Sequence, residues 1–291
     1  MSFASLILLV LKTSVMLLVF GMGLRASRAD ISYLFRRPRQ LLRSFLSMNV
    51  VMPLLAATLA ISFDLRPPVK IALLMLAISP VPPLLPKRLG KSEANGYMIG
   101  LLFGMAVIAV IFIPAAIAVL DRLSPASLHV PFLAVLNLAL ITVLVPLSAG
   151  VLVRRAAGRF AERIAKPVSL VAAVMLVLGL LPVLAKTTPA ILSLVGNGTI
   201  VAFIVFVVVG LAAGHFLGGP VAEDRSVLAL ATASRHPAIA ATIAIANFPE
   251  QKLVFPAILL YFLVNILLCL PYMVLVRRQP ASRPATSAPS S

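Results

Sequence analysis

SVLALATASRHPAIAATIAIAN, residues Ser226 to Asn247, is apolar and long enough to cross a bilayer, yet Ser234, Arg235, His236 and Pro237 stand near its middle. A charged side chain at that depth costs at least ~2.5–3.5 kcal/mol on insertion scales, and a proline removes a backbone donor where no water can replace it. Something has to compensate for both. An ionisable residue on an interrupted membrane helix points to a solute or ion pathway.

Of the 291 residues 61% are hydrophobic and 11% are charged, against roughly 25% charged in a soluble domain. With a mean hydropathy of +1.10, the composition is that of an all-α polytopic membrane protein whose first partner is the lipid bilayer. Spans of roughly 20 residues with short loops leave no room for a sizeable soluble domain, so residues 1–276 are expected to form a single transmembrane domain. The remaining RRQPASRPATSAPSS, residues 277–291, is rich in Pro, Ser and Ala and is expected to be a disordered cytoplasmic tail. A net charge of +17 would suggest nucleic acid in a soluble chain; here membrane topology accounts for it, and no nucleic-acid partner is expected. The single cysteine, Cys269, excludes an intrachain disulfide and a cysteine metal cluster, and reads as a packing residue. The first two dozen residues lack a basic leading segment and carry Lys12 inside the apolar run, which reads as a retained helix.

Apolar segments fall at about 5–24, 41–63, 68–86, 96–120, 130–152, 167–185, 199–217, 226–247 and 253–276, which predicts nine spans. Counting Lys and Arg by alternate loops sets 18 of the 25 on one side: the clusters at 25–43, 87–91, 154–166 and 277–283, together with Arg225. The opposite loops hold Arg66, Lys70, Arg122, Lys186 and Lys252, and only Lys12 and Arg235 lie within spans. The positive-inside rule places the N-terminus outside and the C-terminus in the cytoplasm, as an odd number of spans requires, and the expected location is a bacterial inner membrane. All eight acidic residues fall in loops or at span ends, so no carboxylate remains for the membrane midplane.

Two spans carry glycine at every fourth position: Gly96, Gly100 and Gly104, then Gly210, Gly214 and Gly218. Small residues at this spacing let helix backbones approach closely, so close packing is the favoured reading over dimerisation. His215, between two of these glycines, reads as interfacial rather than catalytic. The third span ends in SPVPPLLPKRLG, where Pro80, Pro82, Pro83 and Pro86 cannot continue a regular helix. The plain reading is a helix ending at a proline-rich loop. The sharper one makes this a second interrupted helix that partners the break at Pro237, since paired interruptions in the two halves of a chain mark a transporter site built from inverted repeats.

Arg235 itself has a plain reading, in which it snorkels or bonds a carbonyl and serves only packing. Its position about ten residues from either end makes snorkelling difficult, and no acid within the spans neutralises it. A guanidinium facing a wet cavity there offers a planar fork for a carboxylate or sulfonate and repels cations. His236 would titrate near neutrality in isolation, but the adjacent arginine disfavours its charged form and argues against proton coupling.

FGMGL (Phe20 to Leu24), LFRRP (Leu34 to Pro38), VMP (Val51 to Pro53) and the interrupted eighth span occur in one chain. With these features the chain resembles the bile acid:sodium symporter superfamily, with its apical bile-acid-transporter-like fold. It implies a member lacking the first of ten helices, with a core domain of two crossing broken helices and a panel domain that moves against it. Family members carry organic anions such as bile acids, steroid sulfates, pantoate or 2-oxo acids, mostly with sodium. Setting Arg235 and His236 on the family's Gln-Asn pair puts Ala231 where the family has its sodium-binding carboxylate. The sodium-binding Ser-Asn pair of the other crossing helix falls near Leu85 and Pro86, and Met48 takes the place of a ligand Gln, with Asn49 beside it. Hard cations need several oxygen ligands, and the side-chain ones are largely missing here.

The sequence therefore predicts a secondary transporter, not an enzyme, that moves a small organic anion of bile-acid, steroid-sulfate or keto-acid type by alternating access. It needs no cofactor or metal and lacks the family's usual sodium sites, with Arg235 as a built-in cation at the crossing. Arg235 would attract the anion, Thr232 and Ser234 would supply hydroxyls, and His236, Asn49 and Asn137 are further candidates for the cavity. Pro80, Pro82, Pro83 and Pro237 would hold the backbone unwound. Two alternatives stay open: sodium coupling through backbone carbonyls alone, and a non-transporting sensor or scaffold that retains the fold. An intramembrane enzyme fits less well, since the chain has no paired acids, no HExxH pattern and no Ser/His pair at workable spacing.

Overall fold

In hydrocarbon, a chain satisfies its backbone hydrogen bonds internally only as helices or a closed barrel, and here every described element is helical. The computed structural model describes residues 3–82, 92–123, 133, 136–137 and 140–278. In chain order the elements are α1 (Phe3–Gly23), α2 (Arg28–Ser32), α3 (Pro38–Phe45), a π-helical turn (Leu46–Val51), α4 (Met52–Ser62), α5 (Pro67–Ile78) and α6 (Ser92–Leu123). A second π-helical turn (Leu140–Leu144) leads into α7 (Val145–Ala156), followed by α8 (Gly158–Ser193), α9 (Thr199–Leu217), α10 (Ala222–Ala233), α11 (Pro237–Asn247) and α12 (Val254–Arg278).

Seven helical stretches are long and apolar enough to span a membrane, and each coincides with an expected span: Leu6–Gly23, Pro38–Ser62, Gly96–Leu120, Gly158–Ser193, Thr199–Leu217, Ala222–Asn247 and Val254–Val276. The protein is thus a multi-pass membrane protein. Of the other two expected spans, 68–86 is helical to Ile78, non-helical over 79–82 and outside the described residues from 83, and 130–152 also lies partly outside them. Boundaries differ most at α8, which begins at Gly158 rather than near 167. The basic run RFAERIAK continues the helix beyond the apolar segment, and Pro167 sits within it. The last helix likewise carries on through Arg277 to Arg278, and the tail from 279 onward lies outside the described residues.

Packing sorts the helices into two sets. α1 lies against α7 and α8, which also touch each other. In the second set α9 packs on α10 and α12, while α5 packs on α4, α11 and α12. Contact between α8 and α12 joins the sets. The broken stretch Ala222–Asn247 is the least apolar of the seven spans and the most enclosed: 72% of its window is buried, against 11% for Gly158–Ser193. α8 therefore faces outward to lipid, whereas α10 and α11 run through the interior.

The glycine spacing explains how α10 is held there. A Cβ at Gly210 would lie 2.9 Å from Ala233 Cα, and one at Gly214 would overlap Ala229 Cα and the Leu228 carbonyl. Each step of four along α9 meets a step of four along α10, so the two backbones touch directly. The earlier glycine run behaves similarly against α2, where a Cβ at Gly100 would stand 3.0 Å from the Asp30 carbonyl oxygen.

Candidate functional site

Two helices stop in the interior, and their stops meet. α10 ends at Ser234, whose backbone is extended (φ −94°, ψ 131°), and α11 starts afresh at Pro237, where a missing N–H is harmless. α5 ends at Ser79 in the same extended conformation (φ −75°, ψ 149°), ahead of Pro80. Between the two breaks the backbones bond directly: the His236 N–H donates to the Pro80 carbonyl at 3.0 Å and to Ser79 Oγ at 3.1 Å. Proline at 80 and at 237 thus breaks both helices at one depth, and each break satisfies the other's freed polar groups.

Arg235 lies at this crossing, only 2% exposed. Its Nη1 donates to the Ser79 carbonyl at 3.1 Å and its Nη2 to the Met48 carbonyl at 2.6 Å. Ser79 caps the C-terminal end of α5, where the helix dipole favours a cation. Met48 lies in the first π-helical turn. In a π register its carbonyl would accept from the residue five positions on, but that residue is Pro53, which has no N–H; Arg235 supplies the donor. One guanidinium therefore ties together the α3–α4 rod, the end of α5 and the break between α10 and α11.

The same arginine lines a cavity of about 280 Å³ with Ser234, Asn265, Cys269 and Pro82 as its other polar or break-forming neighbours. The remaining wall is apolar: Leu176 from α8, Leu230 from α10, and Phe262, Ile266, Leu270 and Met273 from α12. Two buried side-chain nitrogens at the crossing, Arg235 Nε and His236 Nε2, have no hydrogen-bond partner among the described residues. The Nδ1 of His236 accepts from the Ile239 N–H at 3.4 Å, the capping role of the residue before a helix, and this requires that nitrogen to be unprotonated.

The predicted site residues are distributed unevenly around this centre. Ser234 and Arg235 line the cavity. Thr232 is fully buried behind it, its hydroxyl 2.7 Å from that of Ser47. His236 is buried at the break, and Asn49 is half-buried in the π-helical turn beside Met48. Asn137 is exposed and is not part of the cavity wall. Pro80 accepts from His236, Pro82 lines the cavity and Pro237 opens α11, whereas Pro83 lies outside the described residues.

Sequence reasoning missed the residues that α12 contributes. Asn265 donates to the Ala233 carbonyl at 3.0 Å and accepts from Ser234 Oγ at 3.2 Å, and the Tyr261 hydroxyl donates to the same carbonyl. The last turn of α10 thereby has its freed carbonyl satisfied from α12. The signal was present: Tyr261, Asn265 and Cys269 recur every four residues, so they share one face of the last span. Among the described residues no group of three or more His, Cys, Asp or Glu side chains could hold a metal.

A family model described as the Sodium Bile acid symporter family matches residues 13–194, well over half of the chain. The match runs from within α1 to the end of α8, so the break at Arg235 lies beyond it. Comparison with curated proteins gives no match.

Proposed function

The chain belongs to the sodium bile acid symporter family, and from that premise we propose that it is a secondary transporter of a small organic anion that works by alternating access without the family's usual sodium sites. The observation that carries this reading is the placement of Arg235: its two terminal nitrogens hold the carbonyls of Met48 and Ser79, as a bound cation would, while it lines the 280 Å³ cavity. A fixed guanidinium does permanently what a coupling cation does only when bound. Met48 and Ala231 bring no oxygen ligand in their side chains, and the two carbonyls nearest the crossing already accept from arginine, which weighs against sodium held by backbone oxygens.

The anion would enter the cavity beside Arg235, whose Nε has no hydrogen-bond partner among the described residues, with the hydrogen-bonded Ser234–Asn265 pair in the wall and apolar side chains around its body. Small-molecule pockets run from about 300 to 1,000 Å³, so this volume favours a keto-acid-sized carboxylate or sulfonate over a steroid conjugate. Alternating access would be a movement of the α1–α7–α8 set, acting as a panel, against the set that holds both breaks. In this reading residues 1–276 form one transmembrane unit of inverted repeats in a bacterial inner membrane, with nine spans and the basic loops in the cytoplasm.

The test is thermal stabilisation of the purified protein by carboxylates and sulfonates of graded size, in sodium and in choline buffers, repeated for Arg235→Gln. Stabilisation is expected without sodium and is expected to vanish in the variant. A saturable sodium requirement would overturn sodium independence, and equal stabilisation of the variant would remove Arg235 from the anion site. Ligand binding without flux in proteoliposomes, under any imposed gradient, would instead support a sensor.

A further inference from the structure

A second cavity, separate from the crossing, lies between the start of α3 and the turn from α9 to α10. Its volume is about 570 Å³, and Arg37, Arg39 and Arg43 all line it, with Gln40, Gly219 and Asp224. None of the three arginines is in an ion pair among the described residues. The walls of the cavity are built rather than accidental. Arg37 is stacked on Tyr33, its guanidinium carbon 4.1 Å from the ring centroid. Gly219 takes φ +90°, which folds the turn beneath Arg43: a Cβ there would stand 3.0 Å from Arg43 Nη1. Arg225 fixes that turn from below by donating from Nε to the Gly219 carbonyl at 2.6 Å. The one carboxylate in the wall, Asp224, is 4% exposed and accepts from Gln40 Nε2 at 2.7 Å.

We propose that this cleft binds the phosphate of an anionic bilayer lipid. Three arginines line this one concavity, and a guanidinium offers paired donors that match phosphate oxygens. Exposed apolar residues next to the lining residues in the chain favour a lipid over a free anion. Leu42, beside Arg43 on α3, is 57% exposed, and Phe216, two residues before Gly218, is 83% exposed. A headgroup held by the arginines would have this apolar surface nearby for its acyl chains. The cleft lies among the loops that hold 18 of the 25 basic residues, the leaflet side on which anionic headgroups attract basic groups.

The experiment is native mass spectrometry of the full chain in neutral detergent with phosphatidylglycerol or phosphatidylcholine added. Retention of phosphatidylglycerol is expected to exceed that of phosphatidylcholine, and R39Q/R43Q is expected to lower it about tenfold or more, from the per-residue attraction of basic groups to anionic lipid. R159Q/R163Q, which removes equal charge from exposed positions on α8, is expected to change it less than about twofold by the same reasoning. R43K, which keeps the charge and loses the fork, is expected to weaken retention several-fold with the fold intact. Equal loss in R159Q/R163Q, or R43K equal to the parent, would overturn the site in favour of diffuse surface charge. Displacement of phosphatidylglycerol by inorganic phosphate at millimolar concentration would overturn the lipid as its occupant.

Discussion

Arg235 is buried without a carboxylate, and what offsets its desolvation is backbone oxygen. Its partners are carbonyls that local sequence has stripped of their ordinary donors: Met48, five residues before Pro53, and Ser79, at the end of α5. This makes the residue a tie as well as a charge, and the two roles separate on substitution. Lysine at 235 keeps the charge, but its ammonium lacks the planar fork that reaches both carbonyls. An unpaired buried carbonyl costs about 1–3 kcal/mol, so Arg235→Lys is expected to lower thermal stability by that order while retaining some anion-induced stabilisation. A variant as stable as the parent would show that the bidentate tie is dispensable. The Thr232 hydroxyl lies 2.7 Å from that of Ser47 in the packed interior.

The elements around the break are fixed by small residues on one side and polar ones on the other. α9 presents Gly210 and Gly214 to the backbone of α10, and α12 presents Tyr261 and Asn265 to its last carbonyls. The half-helix is thereby positioned on two faces before any ligand arrives. Gly214→Val would drive a branched side chain into Ala229 and Leu228, which are backbone neighbours with no rotamer to yield. Overpacking of this kind typically costs about 1–3 kcal/mol, and the expected outcome is a lower unfolding temperature together with loss of anion-induced stabilisation. Retention of both would mean that α9 and α10 separate more easily than their contact suggests. Each π-helical turn precedes a proline by the same interval, Val51 before Pro53 and Leu144 before Pro146. In the first, the irregularity serves the site by freeing a carbonyl for Arg235.

Across the whole molecule, the cavity lies where the two helix sets meet: Leu176 comes from α8 in one set, and the rest of the apolar wall from α10 and α12 in the other. Movement of one set against the other would therefore open or close it. The native Cys269 makes this testable, because it lines the same cavity as Leu176 and is the only cysteine in the chain. In Leu176→Cys, a short bifunctional thiol reagent is expected to couple the new thiol to Cys269 and to stop flux in proteoliposomes. The same reagent is expected to leave Leu176→Cys/Cys269→Ala unaffected. Undiminished flux through the cross-linked protein would argue that α8 and α12 move as one body.

How much of this was legible in the sequence differs by feature. The membrane class, the positions of the seven full-length spans and the break at Ser234 to Pro237 follow from the chain alone. Hydrophobic length and proline act locally, and hydrocarbon leaves the backbone few alternatives. Close helix contact was equally legible in the glycine spacing, though not which helix would be met. The anion-site candidates are placed differently: Arg235 and Ser234 line the cavity, Asn137 is exposed and outside its wall, and Thr232 is buried with its hydroxyl against that of Ser47. Which carbonyls face Arg235, and that Asn265 and Tyr261 complete the end of α10, was decided only by the tertiary structure. Those partners lie 28 to 187 residues apart along the chain. Nothing in local propensity encodes such pairings; they arise when packing brings freed backbone groups within reach of the few polar side chains the interior contains.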